Sequence, residues 1–452
     1  MIKALLFLIT AGIFVMTFSC SDPTSGTIDN LPPDSYLSIF PDSIIAPGST
    51  LKKINWWGDD PDGIVQGFRI SFDSVNWGYT TKNDSSFLLS INGNDSTFRF
   101  WVAAVDDKGF IDPTPATNLY PVINTPPVVS FDVGTDIPDT TFPVASFKWT
   151  GSDPDGVETI RYFQYSLNDT NHFRRVSGSI NLLTINIDSG IVPNSDNVFY
   201  LRAEDNAGAL SPIIRMPDTS SVWHVKPVTS KILMIRDIPS SDLTFAMPYF
   251  SNAFDTIHYD MLDIKSNDGA LIPTIVNPMF ISTLKLFDIV FWTAGNNSVS
   301  NAANFDLARA TLPFYIQSGG KVFFASGFQG VLAEIPPNYI NFAPIDSVTA
   351  CSIPFYQPSN PNLTVNDASY PVIGSSSFIF GVKGLKVTSP TNIIYRLFVP
   401  AGCFDTINVT IKDVTVNPKI IYMGLPVYFL NRDPVASKDL FRRIFIEEFG
   451  YH

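Results

Sequence analysis

Cysteine is almost absent from this 452-residue chain, which has Cys20, Cys351 and Cys403 and no others. A disulfide framework in place of a core is thereby excluded, because a chain of this length buries a core of its own. The count leaves two readings for Cys351 and Cys403, a single bridge in an oxidising compartment or two buried thiols. Histidine is as scarce, with His172, His224, His258 and His452 only. That excludes a His-rich zinc centre, and no cysteine pair has metal spacing either. Positive charge is also short: 29 Lys and Arg against 42 Asp and Glu give a net charge of −13. With no basic stripe to gather phosphates, nucleic acid is excluded as a partner. Charged residues of both signs make up only 16%.

What is present is β-forming and turn-forming. The 35 prolines and 37 phenylalanines point to strand-rich modules joined by rigid turns, and the length to about three domains. An internal repeat sets the organisation. Trp56-Trp57-Gly58-Asp59-Asp60-Pro61-Asp62-Gly63-Ile64 matches Trp149-Thr150-Gly151-Ser152-Asp153-Pro154-Asp155-Gly156-Val157. Further on, Phe100-Trp101-Val102-Ala103-Ala104-Val105-Asp106-Asp107-Lys108-Gly109 matches Phe199-Tyr200-Leu201-Arg202-Ala203-Glu204-Asp205-Asn206-Ala207-Gly208, and Pro113 and Pro212 come after at equal distance. Alternating apolar residues after each first block read as half-buried strands. A tryptophan strand and a late strand ending in Asp-x-x-Gly within about 95 residues resemble fibronectin type III and related immunoglobulin-like sandwiches. The resemblance implies two modules, residues 31–125 and 126–228, joined through the proline-stiffened Asn124-Thr125-Pro126-Pro127.

Two features of the modules have a functional and a plain reading. Asp60, Asp62 and Asp106 are candidate Ca²⁺ ligands, since hard cations gather turn carboxylates; the same Asp-Pro-Asp-Gly is also an ordinary turn. Trp77 and Tyr79 are either core aromatics or rings on an exposed face that stack on sugars.

Beyond residue 229 the pattern turns to alternating strand and helix. Strands are expected at 231–237, 256–262, 286–293, 321–325 and 419–423. Helices are expected at 249–254, at 302–317 and from about 437, the last with Leu440, Phe441, Ile444, Phe445 and Phe449 on one side. Ser318-Gly319-Gly320 is the expected helix stop, with Gly320 as its costly position. The fold class is therefore two all-β sandwiches followed by an α/β doubly wound, flavodoxin-like domain over 229–452. The helix-Gly-Gly-strand segment at 302–325 and the ending Tyr422-Met423-Gly424-Leu425-Pro426-Val427 resemble a divergent class I glutamine-amidotransferase-like domain. In that family a nucleophile comes after the fourth strand on a glycine-flanked elbow. Here Ser326 stands between Ala325 and Gly327-Phe328, and no histidine comes after it before His452, so the resemblance implies a domain without the catalytic residues. Asp237, Asn296, Asn297 and Ser326 are expected along the carboxyl edge of the strands, where open α/β sheets bind ligands.

The N-terminus reads Met1-Ile2-Lys3, an apolar run to Met16, then Thr17-Phe18-Ser19-Cys20. That is a signal peptide, 1–19, shorter than the ~20 residues of a spanning helix. Its end resembles the lipobox of Gram-negative lipoproteins, which implies a Cys20 acylated at the outer membrane; an ordinary secretory peptide is the other reading. Residues 20–30 form a small, polar tether. Seven Asp-Ser/Thr triplets, at Ser43, Ser74, Ser96, Thr140, Thr256, Ser347 and Thr406, resemble an envelope O-glycosylation motif. The functional expectation is a membrane-anchored binding or assembly protein, with a glycan or another envelope protein as partner. Its rival is an envelope hydrolase with a non-standard site at the strand edge.

Overall fold

The computed structural model describes residues 29–38, 51–89, 96–122, 124–134, 137–154, 157–265, 276–295, 304–328, 340–349, 353–355, 362–376, 378–387, 392–398, 406–413 and 418–452. Cys20, Cys351, Cys403, Asn296, Asn297 and Ser43 lie outside them. The chain divides into two compact units: Met1–Pro127 with Asp153–Ile160 and Glu204–Leu210, and Val128–Ser152 with Arg161–Ala203 and Ser211–His452.

In the first unit seven strands make a sandwich: β1 (Asp34–Leu37), β2 (Leu51–Asp59), β3 (Val65–Ser71), β4 (Gly78–Thr80), β5 (Asp84–Leu88), β6 (Ser96–Asp106) and β7 (Ala116–Val122). One sheet has the order β1-β2-β5 and the other β4-β3-β6-β7. Two such sheets face to face are what the sequence repeat led us to expect. Strand alternation sends Ile54, Trp56, Phe68, Phe100, Val102 and Ala104 inward, and Trp56 is buried among Phe68, Phe87 and Phe100.

The second repeat builds the same two sheets from β8 (Val128–Phe131), β9 (Val144–Ser152), β10 (Ile160–Leu167), β11 (Arg174–Ser177), β12 (Leu182–Asn186), β13 (Phe199–Asp205) and β14 (Ile214–Met216). Their orders are β12-β9-β8 and β11-β10-β13-β14. Phe147 lies flat on Phe199 at 3.9 Å, and Trp149 packs edge-on against Phe163. Trp223 is a core residue: it meets Phe147 at 5.8 Å and its indole N–H donates to Thr141 Oγ1 at 2.8 Å.

The remainder of the second unit is organised by one eight-stranded sheet. Its strands are β15 (Ile232–Asp237), β16 (Asp260–Asp263), β17 (Ile289–Ala294), β18 (Lys321–Ala325), β19 (Thr364–Val365), β20 (Ile393–Phe398), β21 (Thr406–Lys412) and β22 (Ile420–Met423). The order is β16-β15-β17-β18-β22-β21-β20-β19. The first five in this order are parallel and the last three antiparallel. A parallel strand covered on both faces must be apolar throughout, and β17, Ile-Val-Phe-Trp-Thr-Ala, is buried at every position. On one face Phe291 and Phe323 stack and meet Phe441 and Phe445, with Phe250 and Phe254 beside them. On the other, Trp292, Phe324 and Tyr422 pack with Phe280 and Phe305.

Helix α1 (Leu243–Phe254) and helix α2 (Val276–Leu284) precede β17; helix α3 (Phe305–Gln317) precedes β18. Helix α4 (Pro434–Arg442) runs on into a π-helical turn, Arg443–Glu448. The second expected strand, 256–262, is shorter and later in fact, and α1 starts six residues before the expected 249. The helix stop lies at the expected Ser318-Gly319-Gly320. The left-handed residue is Gly319, at φ 102°, whereas Gly320 is needed because a Cβ there would come within 2.2 Å of the Tyr315 ring.

Within this unit the sandwich and the α/β sheet share a packed seam. Phe142 meets Phe287 edge-on at 5.0 Å, and the Lys226 ammonium lies 4.1 Å from the Phe142 ring centroid while donating to the Met261 carbonyl. Burial lowers the Lys226 pKa. No helix among the described residues is long and apolar enough to cross a membrane.

Candidate functional site

β15 and β17 are neighbours, but the chain leaves one toward β16 and the other toward β18, so the strand order reverses between their carboxyl ends. Open sheets place ligands in that crevice. Asp237 ends β15 there and is fully buried. It accepts from the Asn304 backbone N–H at 2.7 Å, the Asn304 side-chain amide at 2.8 Å and the Trp292 indole N–H at 3.2 Å. The Lys265 ammonium, itself buried, stands 3.8 Å away. Burial pushes the Asp237 carboxyl up to about 6 even against these donors and the Lys265 charge. Beside it Pro239 and Tyr428 pack closely against Gly295. A Cβ on Gly295 would fall 2.6 Å from the Pro239 ring and 3.2 Å from the Tyr428 hydroxyl, and that hydroxyl donates to Asp242 at 2.7 Å.

Ser326 comes after β18 at the same edge, as expected, and is fully buried. Its N–H donates to the Met423 carbonyl at 3.0 Å and its hydroxyl to the Gly327 carbonyl at 3.1 Å. The histidines have other partners or positions: His172 pairs with Asp169 and His224 with Asp196, while His258 and His452 are exposed. The edge thus brings Asp237 and Ser326 together with Lys265, Asn304 and Trp292, which the sequence did not single out. The missed residues come from three separate segments, and only the Asn304 position, one residue before a helix, carried a local signal. Both described members of the expected ligand edge are sealed from solvent. A cavity of about 460 Å³ opens instead at the opposite end of the strands, between Lys231, Lys285, Asp288 and Lys321.

The carboxylates of the first module expected as Ca²⁺ ligands accept hydrogen bonds from the chain itself. Both Asp62 oxygens accept from the Leu31 N–H, at 3.2 and 3.3 Å. Asp106 accepts from the Asn30 amide and from the Lys108 and Phe110 N–H groups at 2.9 and 2.7 Å. Asp60 accepts from the Asp62 N–H at 3.3 Å. These donors engage both Asp62 oxygens and Asp106, whereas Asp60 Oδ2 is buried without a hydrogen-bond partner among the described residues, and no group of three or more His, Cys, Asp or Glu among the described residues is placed to hold a metal ion. The second module repeats the clamp: Asp205 accepts from the Asn124 amide at 2.6 Å and the Ala209 N–H at 2.8 Å. The repeated Asn-x-Pro-Pro before each module was its signal. Of the triplet hydroxyls, Ser74, Thr140, Thr256 and Thr406 are exposed and Ser347 half-buried.

No family model matches the chain, and no curated protein matches it. Among solved structures, the fibronectin(III)-like modules of Clostridium thermocellum CbhA align at 13% identity over 43% of this chain and 95% of that one, with a TM-score of 0.19. A two-domain fibronectin type III segment of chicken tenascin aligns at 18% identity over 41% of this chain and 97% of that one, with a TM-score of 0.18. The PKD1 domain of Vibrio anguillarum Epp aligns at 16% identity over 22% and 100%, with a TM-score of 0.15. The scores are too low to carry an argument about function. The strand orders of the two sandwiches stand on their own.

Proposed function

We propose that this chain is an extracytoplasmic lipoprotein, held at the outer membrane through Cys20, that works by binding or assembly rather than by catalysis. Two fibronectin type III-like modules form the stretch between the anchor and the α/β region. That region is a divergent, flavodoxin-like and glutamine-amidotransferase-like domain that has kept the fold and lost the chemistry. The observation that carries this reading is burial at the strand edge: Asp237 and Ser326 are fully buried, and Pro239 and Tyr428 pack against Gly295 between them. A nucleophile must reach its substrate and needs a base within hydrogen-bond reach.

The test is a panel of esterase, amidase and glutaminase substrates with wild-type protein and Ser326→Ala. No turnover is expected from either. Turnover by the wild type that disappears in the variant would make the domain an enzyme.

A further inference from the structure

The outer face of the β4-β3-β6-β7 sheet is built differently from the sealed edge. Phe68, Ile70, Phe100, Val102 and Ala104 point inward, which puts Gly67, Arg69, Ser71, Arg99, Trp101 and Ala103 on the other face, where Arg99 is exposed, Arg69 and Trp101 are half-buried and Gly67, Ser71 and Ala103 are covered. The register sets Arg69 opposite Tyr79 on one side and Ala103 on the other, and Arg99 and Trp101 opposite Leu119 and Thr117. Tyr79 is 58% exposed and Leu119 50%. Tyr79 lies down on the sheet because residue 67 is glycine: a Cβ there would come within 2.3 Å of the phenol oxygen.

The charges on this face are as telling as its rings. Arg69 and Arg99 are the only arginines between residues 29 and 127, and both stand over tryptophans on this one face, Arg69 at 5.5 Å from the Trp77 ring centroid and Arg99 at 5.7 Å from that of Trp101. In a chain with 42 acidic residues, neither guanidinium has a carboxylate partner among the described residues. A guanidinium held over a ring face keeps N–H donors with which arginine meets planar oxyanions in pairs of hydrogen bonds. In the second sandwich arginines also lie over rings, Arg175 5.2 Å from that of Tyr162 and Arg202 4.1 Å from that of Phe173, with Arg202 donating to the Gln164 amide oxygen at 2.9 Å as well.

We propose that this outer sheet face of the first module binds an anionic polysaccharide, with Trp77, Tyr79 and Trp101 stacking on sugar rings and Arg69 and Arg99 pairing with their carboxylates. Ring faces recognise the C–H faces of pyranoses; unneutralised guanidiniums select the acidic ones. A flat platform of this kind offers no pockets for the alternating side chains of a peptide strand. The inference deepens the binding role proposed above and supplies its ligand class.

Affinity electrophoresis of the full-length protein in detergent, through gels holding polygalacturonate or uncharged dextran, tests it. Retardation by polygalacturonate alone is expected, weakening as salt rises. Arg69→Ala with Arg99→Ala should cost about tenfold or more in affinity, and Tyr79→Ser, an exposed change that spares the core, should weaken binding too. Equal retardation by dextran, no retardation at all, or retardation unchanged in these variants would overturn the proposal. Those outcomes leave the hydrolase panel untouched, so failure of this face and failure of the non-catalytic reading are told apart.

Discussion

Asp237 has lost all contact with solvent and keeps three hydrogen bonds and one cation in exchange. Because burial raises its pKa from 3.8 to about 6, the folded state holds this proton over a window where the unfolded chain has already released it. Below pH about 4 both states are protonated; between about 4 and about 6 the folded state binds more protons, so stability falls as pH rises, and above that window the cost is fully present. The expected size is on the order of 3 kcal/mol for a shift of about two units. Asp237→Asn should flatten the pH dependence of urea unfolding between pH 4 and 6, and equal slopes in wild type and variant would contradict the assignment. The position of Asp237 at a strand end was readable from Lys-Ile-Leu-Met-Ile-Arg-Asp. Its burial was not, since Trp292, Asn304 and Lys265 reach it from elsewhere in the chain.

The closing helix shows the same division one level up. Its apolar spacing at Leu440, Phe441, Ile444, Phe445 and Phe449 was legible, and all five are buried. Its start was missed, although Asp433 caps the Val435 and Ala436 N–H groups at 2.9 and 3.3 Å and Pro434 is the next residue, which is a recognisable helix opening. The π-helical turn had no sequence signal. Glu448, near its end, takes the Tyr370 hydroxyl at 3.1 Å, the Lys412 ammonium at 3.0 Å and the Arg443 guanidinium at 2.8 Å. Lys412 also reaches Asp367 at 3.1 Å, so one buried carboxylate ties the last helix to β21 and to the 367–370 turn. Removing Glu448 takes the acceptor of the buried Tyr370 hydroxyl and leaves Lys412 with Asp367 alone and Arg443 with Glu447 alone among the described carboxylates. Glu448→Ala should therefore cost about 3 kcal/mol in chemical denaturation; a loss below about 1 kcal/mol would mean that the network is screened like a surface pair.

For the molecule as a whole, the repeat announced two sandwiches, and each shows the three-plus-four strand order. The repeat did not announce that the second sandwich shares a core with the α/β part: Phe142, buried to 1% exposure, belongs with Phe287 of that part. A single phenylalanine in a strand-rich stretch reads as module core, and only the fold shows which core it joins. The anchor is the claim that acts on the entire chain. Cys20→Ala should move the protein from the membrane fraction to the soluble envelope fraction and abolish fatty-acid labelling, since two or more acyl chains are what hold a lipoprotein on a bilayer. Labelling that persists in the variant would remove the lipid anchor from the proposal.

Taken alone, the sequence determined everything that depends on local spacing. The alternation that turns Trp56 and Trp149 inward, the apolar runs of the parallel strands and the Gly-Gly helix stop are set by periods of two or 3.6 residues and by backbone sterics. The tertiary structure decided what depends on neighbours distant in the chain. It packed Pro239 and Tyr428 against Gly295, turned the Asp62 and Asp106 oxygens toward the chain's own N–H groups, and set Arg69 and Arg99 over tryptophan rings with no carboxylate partner among the described residues. Burial and hydrogen-bond saturation belong to an assembled environment, and no residue carries them in its own identity.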